Sequence, residues 1–95
     1  MAIRVFVKRK VPDDKIDALR GYVDTLRTMS TGRPGYISGE TLRRIDQPGE
    51  MLVISKWKTR QEWQDWFESE QRATIQSKID ALIGAATSYE IYDFD

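Results

Sequence analysis

The chain has 95 residues, 40% of them hydrophobic, and its 15 basic side chains balance 15 acidic ones. This length predicts a single domain over residues 1–95, and the balanced charge gives no reason to expect a nucleic acid or an anionic membrane as partner. The sequence has no cysteine, histidine or asparagine. These absences exclude disulfides, thiolate sites, histidine-ligated metals and a Ser-His-Asp triad within one chain, and we expect no metal.

The N-terminal segment MAIRVFVKRK does not read as a signal peptide, because Arg4 interrupts a short apolar run. No segment approaches the roughly 20 apolar residues that cross a membrane. We therefore expect a cytoplasmic protein without a membrane partner.

The first elements in chain order are a strand and a helix. Residues 2–10 predict a strand, because the aliphatic residues Ile3, Val5 and Val7 occupy every second position. Pro12 begins a helix that Gly32 ends. The apolar stripe of this helix recurs at helical spacing: Ile16, Leu19, Val23 and Leu26, widened by Tyr22 and Met29.

A hairpin follows. Residues 36–46 and 51–58 predict two strands, and the short turn 46–49 joins them. Gly39 lies inside the first of these strands, where a glycine indicates a bulge or a close approach to the backbone.

The remaining segment predicts helix and strand. Thr59 and Glu62 form a capping box, so a helix begins there. Two apolar stripes follow: Trp63, Trp66 and Phe67, then Ile75, Ile79, Leu82 and Ile83. One straight helix would point these stripes in different directions, which predicts a break near Ser69. Gly84 ends the helical segment, and residues 87–94 predict the last strand.

The order β-α-β-β-α-β predicts an α+β, ferredoxin-like fold, with a four-stranded antiparallel sheet and both helices on one face. A sheet covered on one face should alternate apolar and polar residues. These strands instead carry apolar residues at both parities: Val5 and Phe6, Leu52 with Val53 and Ile54, Ile91 and Tyr92. We therefore predict a homodimer through the uncovered sheet face.

Three motifs resemble the antibiotic biosynthesis monooxygenase (ABM) domain family. They are PGYISGETL leading into the second strand, ISKW ending the third, and WQDWFES followed two residues later by arginine. The resemblance covers nearly the whole chain. It implies a dimeric α+β barrel with one pocket per subunit between sheet and helices. It also implies a range of activities, from cofactor-free oxygenation of quinols or anthrone-like compounds to haem degradation.

Departures from the family pattern narrow that range. Haem-degrading members use a histidine ten residues after a pocket tryptophan; Trp66 matches the tryptophan, but the later position is Gln76. Haem-degrading and cofactor-free members also use an asparagine, which this chain lacks. The favoured interpretation is a cofactor-independent monooxygenase, needing no cofactor, that acts on a small reduced aromatic compound. The alternatives are a non-catalytic small-molecule-binding homodimer and a haem-binding protein.

Four residues are candidates for the site. Trp66 could form a pocket wall that stacks on a flat substrate, or anchor the core. Arg72 lies within the apolar stripe of the second helical segment and could act in catalysis by stabilising an enolate or phenolate. It could instead extend its head to solvent or pair with a carboxylate of the sheet. Gln76 could hydrogen-bond a ligand oxygen or face solvent, and Tyr36 could supply a hydroxyl to the pocket.

Other conspicuous residues are assigned structural roles. The neighbouring aromatic residues are interpreted as core: Trp57, Trp63 and Phe67. The basic run Lys8-Arg9-Lys10 is interpreted as a solvated strand end that discourages edge pairing. RNA-binding domains share the predicted element order, but they need a glycine and several aromatic residues in the third strand, which MLVISKWK lacks. We therefore expect no nucleic-acid partner.

Overall fold

The computed structural model describes residues 2–94. Its four strands are β1 (Ile3–Lys10), β2 (Tyr36–Arg43), β3 (Glu50–Trp57) and β4 (Ser88–Tyr92). Its three α-helices are α1 (Ile16–Thr31), α2 (Arg60–Phe67) and α3 (Glu70–Ile83). All strand pairs are antiparallel, in the order β2-β3-β1-β4. The predicted ferredoxin-like order is confirmed, with the second helical segment divided into α2 and α3.

Element boundaries differ from the predicted ones where local hydrogen bonds intervene. The strand predicted over 36–46 ends at Arg43, because Arg44 closes the hairpin through its own backbone and side chain. The last strand ends at Tyr92, opposite Arg4 near the start of β1. The helix predicted from Pro12 begins as a 3-10 turn, in which the Lys15 N–H donates to the Pro12 carbonyl at 2.9 Å.

The predicted helix starts around α2 and α3 are both present. The Thr59 hydroxyl accepts from the Glu62 backbone N–H at 3.1 Å and donates to the Glu62 carboxylate at 3.0 Å. At the predicted break, Ser69 accepts from the Arg72 backbone N–H at 3.3 Å and donates to the Trp66 carbonyl at 2.8 Å. Ser69 therefore ends one helix and begins the next, which links the positions of Trp66 and Arg72.

The interior between sheet and helices divides into two groups of buried side chains. The aliphatic cluster consists of Val11, Leu19, Val23, Met51, Ile75, Ile79 and Ile83. The tryptophan cluster consists of Ile3, Val5, Trp57, Trp63 and Trp66. Helices α1 and α3 supply most of the first cluster, and α2 supplies two tryptophans of the second.

The opposite face of the sheet, here called the outer face, carries apolar side chains without a covering helix. Phe6 and Ile54 are opposite each other in the β1–β3 ladder, and both are half-buried. The rings of Phe6 and Tyr92 lie 5.0 Å apart, and about half of Tyr92 is exposed. Leu42, opposite Leu52, is also exposed. The apolar residues of both parities noted in the sequence are therefore divided between the core and this face.

Candidate functional site

A small cavity lies between the sheet and the helices, beside the tryptophan cluster. Its volume is about 70 Å³. All three tryptophans line it, together with Phe67 and Tyr36. Because α2 begins at the Thr59 cap and its aromatic residues recur at helical spacing, it presents Trp63, Trp66 and Phe67 to the sheet. One wall of the cavity is therefore almost wholly aromatic.

The tryptophans are held by packing and by specific contacts. Trp57 is fully buried, and its indole N–H donates to the Ser55 hydroxyl at 3.1 Å. The Trp63 and Phe67 rings lie 5.0 Å apart. The Arg33 guanidinium lies 5.5 Å from the Trp66 ring centre. Sequence reasoning treated Trp57 and Trp63 as core alone; they are buried, and they also line the cavity.

Arg72 is fixed at the same cavity by three contacts. Its Nε donates to the Phe67 carbonyl at 2.7 Å, and its Nη1 donates to the Tyr89 hydroxyl at 3.0 Å. The guanidinium also lies 4.3 Å from the centre of the Phe67 ring. The side chain is half-buried and lines the cavity. Trp66 and Arg72, both singled out from the sequence, thus meet at one site.

Tyr36 lines the cavity from β2. Its ring meets the Trp57 ring edge to face, with 5.4 Å between centres. A Cβ on Gly39 would lie 2.6 Å from the Tyr36 hydroxyl, so this glycine leaves room for the tyrosine. The strand irregularity occurs between Tyr36 and Ser38 rather than at Gly39. The close approach predicted at Gly39 is therefore made by a side chain, and the bulge lies earlier in the strand.

Gln76 lies behind this site and is not one of the lining residues. It is 8% exposed, so the alternative of a solvent-facing glutamine is wrong. Its amide nitrogen donates to Asp80 and to Thr87, each at 2.9 Å, and its amide oxygen accepts from Arg9 at 3.0 Å. Its predicted contact with substrate stays a prediction.

Arg9 is the residue that sequence reasoning missed. It was interpreted as part of a solvated basic run, but it is only 5% exposed and lines the cavity. The strand period contained the signal: Arg9 shares the parity of Ile3, Val5 and Val7, which face the helices. The charges of Lys8 and Lys10 obscured that parity. Arg9 and Arg72 therefore line the same cavity.

The electrostatic environment of Arg9 is unfavourable for its charge. Burial lowers the pKa of the Arg9 guanidinium below its ordinary value, because a charged group loses its hydration there. The nearby Arg72 cation acts in the same direction, while Tyr89 and Asp80 oppose it. Arg9 Nε is buried and has no hydrogen-bond partner among residues 2–94.

A hydrogen bond between α1 and β2 spans the side of the cavity. Arg27, which is exposed on α1, donates through Nη2 to the Gly39 carbonyl. Both residues line the cavity. A dry protein cavity that admits benzene has a volume of about 150 Å³. The cavity as it stands is smaller than that, so a ring compound enters only if side chains such as Arg27 or Tyr36 move.

Among residues 2–94, no group of three or more acidic, histidine or cysteine side chains is arranged to hold a metal ion. None of the helices in this part of the chain is long and apolar enough to cross a membrane.

The fold and the cavity define a ferredoxin-like α+β protein with an aromatic pocket between sheet and helices. The sequence model of the family described as antibiotic biosynthesis monooxygenase matches residues 2–78. The chain therefore belongs to the antibiotic biosynthesis monooxygenase family, as its motifs predicted. No curated protein matches the chain in sequence.

Solved structures share the whole fold at low sequence identity. A conserved protein from Methanosarcina mazei Go1 has a TM-score of 0.91 and 19% identity, covering 100% of this chain and 94% of that chain. Rv0793 from Mycobacterium tuberculosis has a TM-score of 0.87 and 16% identity, covering 100% and 96%. A mutant of SnoaB, a cofactor-independent oxygenase from Streptomyces nogalater, has a TM-score of 0.85 and 11% identity, covering 98% and 92%. At these identities the similarity shows the fold.

Proposed function

We propose that this protein is a cofactor-independent monooxygenase that oxidises a small reduced aromatic compound, such as an anthrone or a quinol, in the tryptophan-lined cavity. Membership of the monooxygenase family supports the reaction class. The observation that carries the proposal is the convergence of Trp57, Trp63 and Trp66 on one cavity that Arg72 also lines. A planar apolar substrate needs such a wall, and its oxygen needs such a cation.

The substrate itself is the reductant in this reaction. An anthrone loses a proton from its ring CH2 group, and the resulting anion transfers electrons to dioxygen and forms a C–O bond. The peroxide takes up a proton to give a hydroperoxide. Its O–O bond then breaks while the carbon loses its second hydrogen, and the released OH group and this hydrogen leave as one molecule of water. The products are an anthraquinone, which keeps one oxygen atom, and water, which contains the other. The protein has to bind the ring, stabilise the anion and keep water away.

Each of these tasks falls to particular residues. Trp66 stacks on the ring, and Tyr36 completes the wall from the sheet side. Arg72 stabilises the oxyanion by its charge. Because the Tyr89 hydroxyl accepts a hydrogen bond from Arg72 at 3.0 Å, its own proton is directed elsewhere and can be donated to a substrate oxygen.

Oxygen uptake with a panel of anthrones and quinols, without added cofactor, tests the proposal. We expect substrate-dependent uptake by the wild-type protein and a loss of roughly 100-fold in Arg72→Ala, the scale of removing one stabilising group at a developing oxyanion. Trp66→Ala should also lower the uptake, because it removes the ring surface on which the substrate stacks. Thr59→Ala is a matched control, because it changes α2 outside the cavity. Wild-type protein that consumes no oxygen with any of these compounds would contradict the enzyme proposal.

We also propose that two copies pair through the outer face to form a dimeric barrel. The exposed apolar residues Leu42 and Tyr92, with Phe6 and Ile54 between them, support this pairing. A homodimer has the same face on both copies, so Ile54→Lys places two new charges in the interface. Light scattering after gel filtration should show a dimer for the wild type and a monomer for Ile54→Lys. A monomeric wild type at micromolar concentration would rule out the pairing.

A second candidate function is non-catalytic binding of a small aromatic molecule. It is favoured because the described cavity lining offers little that could act as a base. Glu40 is the only carboxylate among the described lining residues, and it is exposed. Among the described lining residues, no buried carboxylate is therefore present to act as the general base. Saturable binding of ring compounds without oxygen uptake would favour this alternative. Binding of one equivalent of haem per subunit would favour the remaining alternative, a haem-binding protein. The cytoplasmic location stays a prediction.

A further inference from the structure

Arg9 is a buried cation that forms no ion pair with a carboxylate among residues 2–94. Burying a charge is strongly unfavourable unless an opposite charge or a full set of hydrogen bonds compensates it. The exposed fraction of Arg9 is 5%, and its recorded side-chain hydrogen bond goes to the neutral amide of Gln76 at 3.0 Å. Its Nε is buried without a partner in the described chain.

Asp80 acts on Arg9 only indirectly. Asp80 accepts a hydrogen bond from the Gln76 amide nitrogen at 2.9 Å, so it reaches Arg9 through Gln76. Asp80 is exposed, where water screens its charge. The relay orients the guanidinium of Arg9 but leaves its positive charge largely uncompensated.

The cavity lining as a whole carries more positive than negative side chains. Arg9, Arg27 and Arg72 line the cavity, against the single carboxylate of Glu40. Arg72 has its Nε and Nη1 committed to Phe67 and Tyr89, whereas Arg9 retains an unpaired buried N–H. Of Arg9 and Arg72, Arg9 is therefore the one whose buried N–H has no hydrogen-bond partner among residues 2–94.

We propose that the cavity binds an acidic aromatic compound, a ring with a carboxylate or an ionised phenol, and that Arg9 is the counter-ion of its anionic oxygen. The tryptophans contact the ring, and the end of the cavity formed by Arg9, Arg72 and Tyr89 receives the acid group. A charge-assisted hydrogen bond from the Arg9 guanidinium to the acid group compensates the buried cation. This inference rests on the proposed function, because it takes the cavity as the ligand site.

Calorimetric titration with matched ligands tests the role of charge. 2-Naphthoate and 2-naphthamide have the same ring and nearly the same shape, but only the first is an anion. We expect the wild type to bind the acid at least about tenfold more tightly than the amide. 2-Naphthol, titrated below and above its ionisation, tests the phenolate: binding that strengthens on ionisation supports an ionised phenol as ligand.

Variants of β1 assign the preference to Arg9. In Arg9→Met the acid and the amide should bind about equally, because the counter-ion is gone. Arg9→Lys retains the charge and should retain part of the preference. Lys10→Met is the matched control: it removes one positive charge from the adjacent, exposed position and should leave the preference unchanged.

The outcomes separate this inference from the proposed function. Ring compounds that bind the wild type equally well in charged and neutral forms overturn the inference and leave the ring-binding site intact. An acid preference that persists in Arg9→Met also overturns it. If no ring compound binds the wild type, the proposed function fails, and the role of Arg9 fails with it. Should Arg9→Met not fold, the wild-type comparison and Arg9→Lys still decide.

Discussion

The aliphatic cluster and the tryptophan cluster lie under the same sheet but are organised differently. The first consists of aliphatic and thioether side chains, with Leu19 and Ile79 fully buried. The second consists largely of indole rings and borders a cavity that three arginines also line. Aliphatic packing without polar neighbours is typical of a scaffold, whereas aromatic walls with convergent polar groups are typical of ligand sites.

The two clusters receive their residues from different helices of the second helical segment. Helix α3 directs Ile75, Ile79 and Ile83 into the aliphatic cluster, and α2 directs Trp63 and Trp66 into the other. The break at Ser69 separates the two directions. A short polar residue at one position thus allows one helical segment to serve both scaffold and site.

The largest expected effect belongs to the aliphatic cluster. Leu19→Ala should lower the free energy of unfolding by about 2–5 kcal/mol, because the fully buried Leu19 leaves a cavity. Urea denaturation measures this change. The affinity of the folded variant for ring compounds should equal that of the wild type. A parallel loss of affinity would mean that the two clusters do not act separately.

The two helix caps provide a finer comparison. Thr59→Ala and Ser69→Ala should each lower the free energy of unfolding by about 1 kcal/mol, since each removes an N-cap hydrogen bond. Only Ser69→Ala should also weaken ring binding, because Ser69 holds the Trp66 carbonyl and the Arg72 N–H together. Equal affinities in the two variants would show that the break at Ser69 has no role in the site.

The smallest expected effect on stability lies at the sheet wall of the cavity. In Gly39→Ala the new Cβ displaces the Tyr36 hydroxyl, which is the far end of a side chain that can rotate. The free energy of unfolding should change by less than about 1 kcal/mol, within the range of a tolerated substitution. Ring affinity should change several-fold, because Tyr36 leaves its place in the wall. Unchanged affinity would remove Tyr36 from the site.

The sequence was sufficient for the element order, the cap at Thr59 and the break at Ser69. Those features depend on local spacing: a capping box covers four residues, and the two stripes that require the break lie within one segment. Strand ends were less predictable. The end of β2 at Arg43 depends on hydrogen bonds that Arg44 makes across the hairpin.

The site was only partly predictable, because some of its contacts join residues that are far apart in the sequence. Trp66 and Arg72 could be identified from helical spacing and family motifs. The burial of Gln76 depends on Thr87, which lies eleven residues further along the chain, and on Arg9 of β1. The parity of Arg9 could have been read from β1, but its pairing with the neutral amide of Gln76 emerges only when α3 is packed against the sheet.

The central claim is that ring compounds occupy the cavity beside the tryptophan cluster. The most direct measurement is an NMR titration of the three indole N–H signals and of the Leu19 and Ile79 methyl groups with anthrone. The account predicts saturable shifts of Trp57, Trp63 and Trp66, while both methyl signals stay in place. Indole N–H signals that show no saturable shift, or saturable shifts confined to the Leu19 and Ile79 methyl groups, would contradict it.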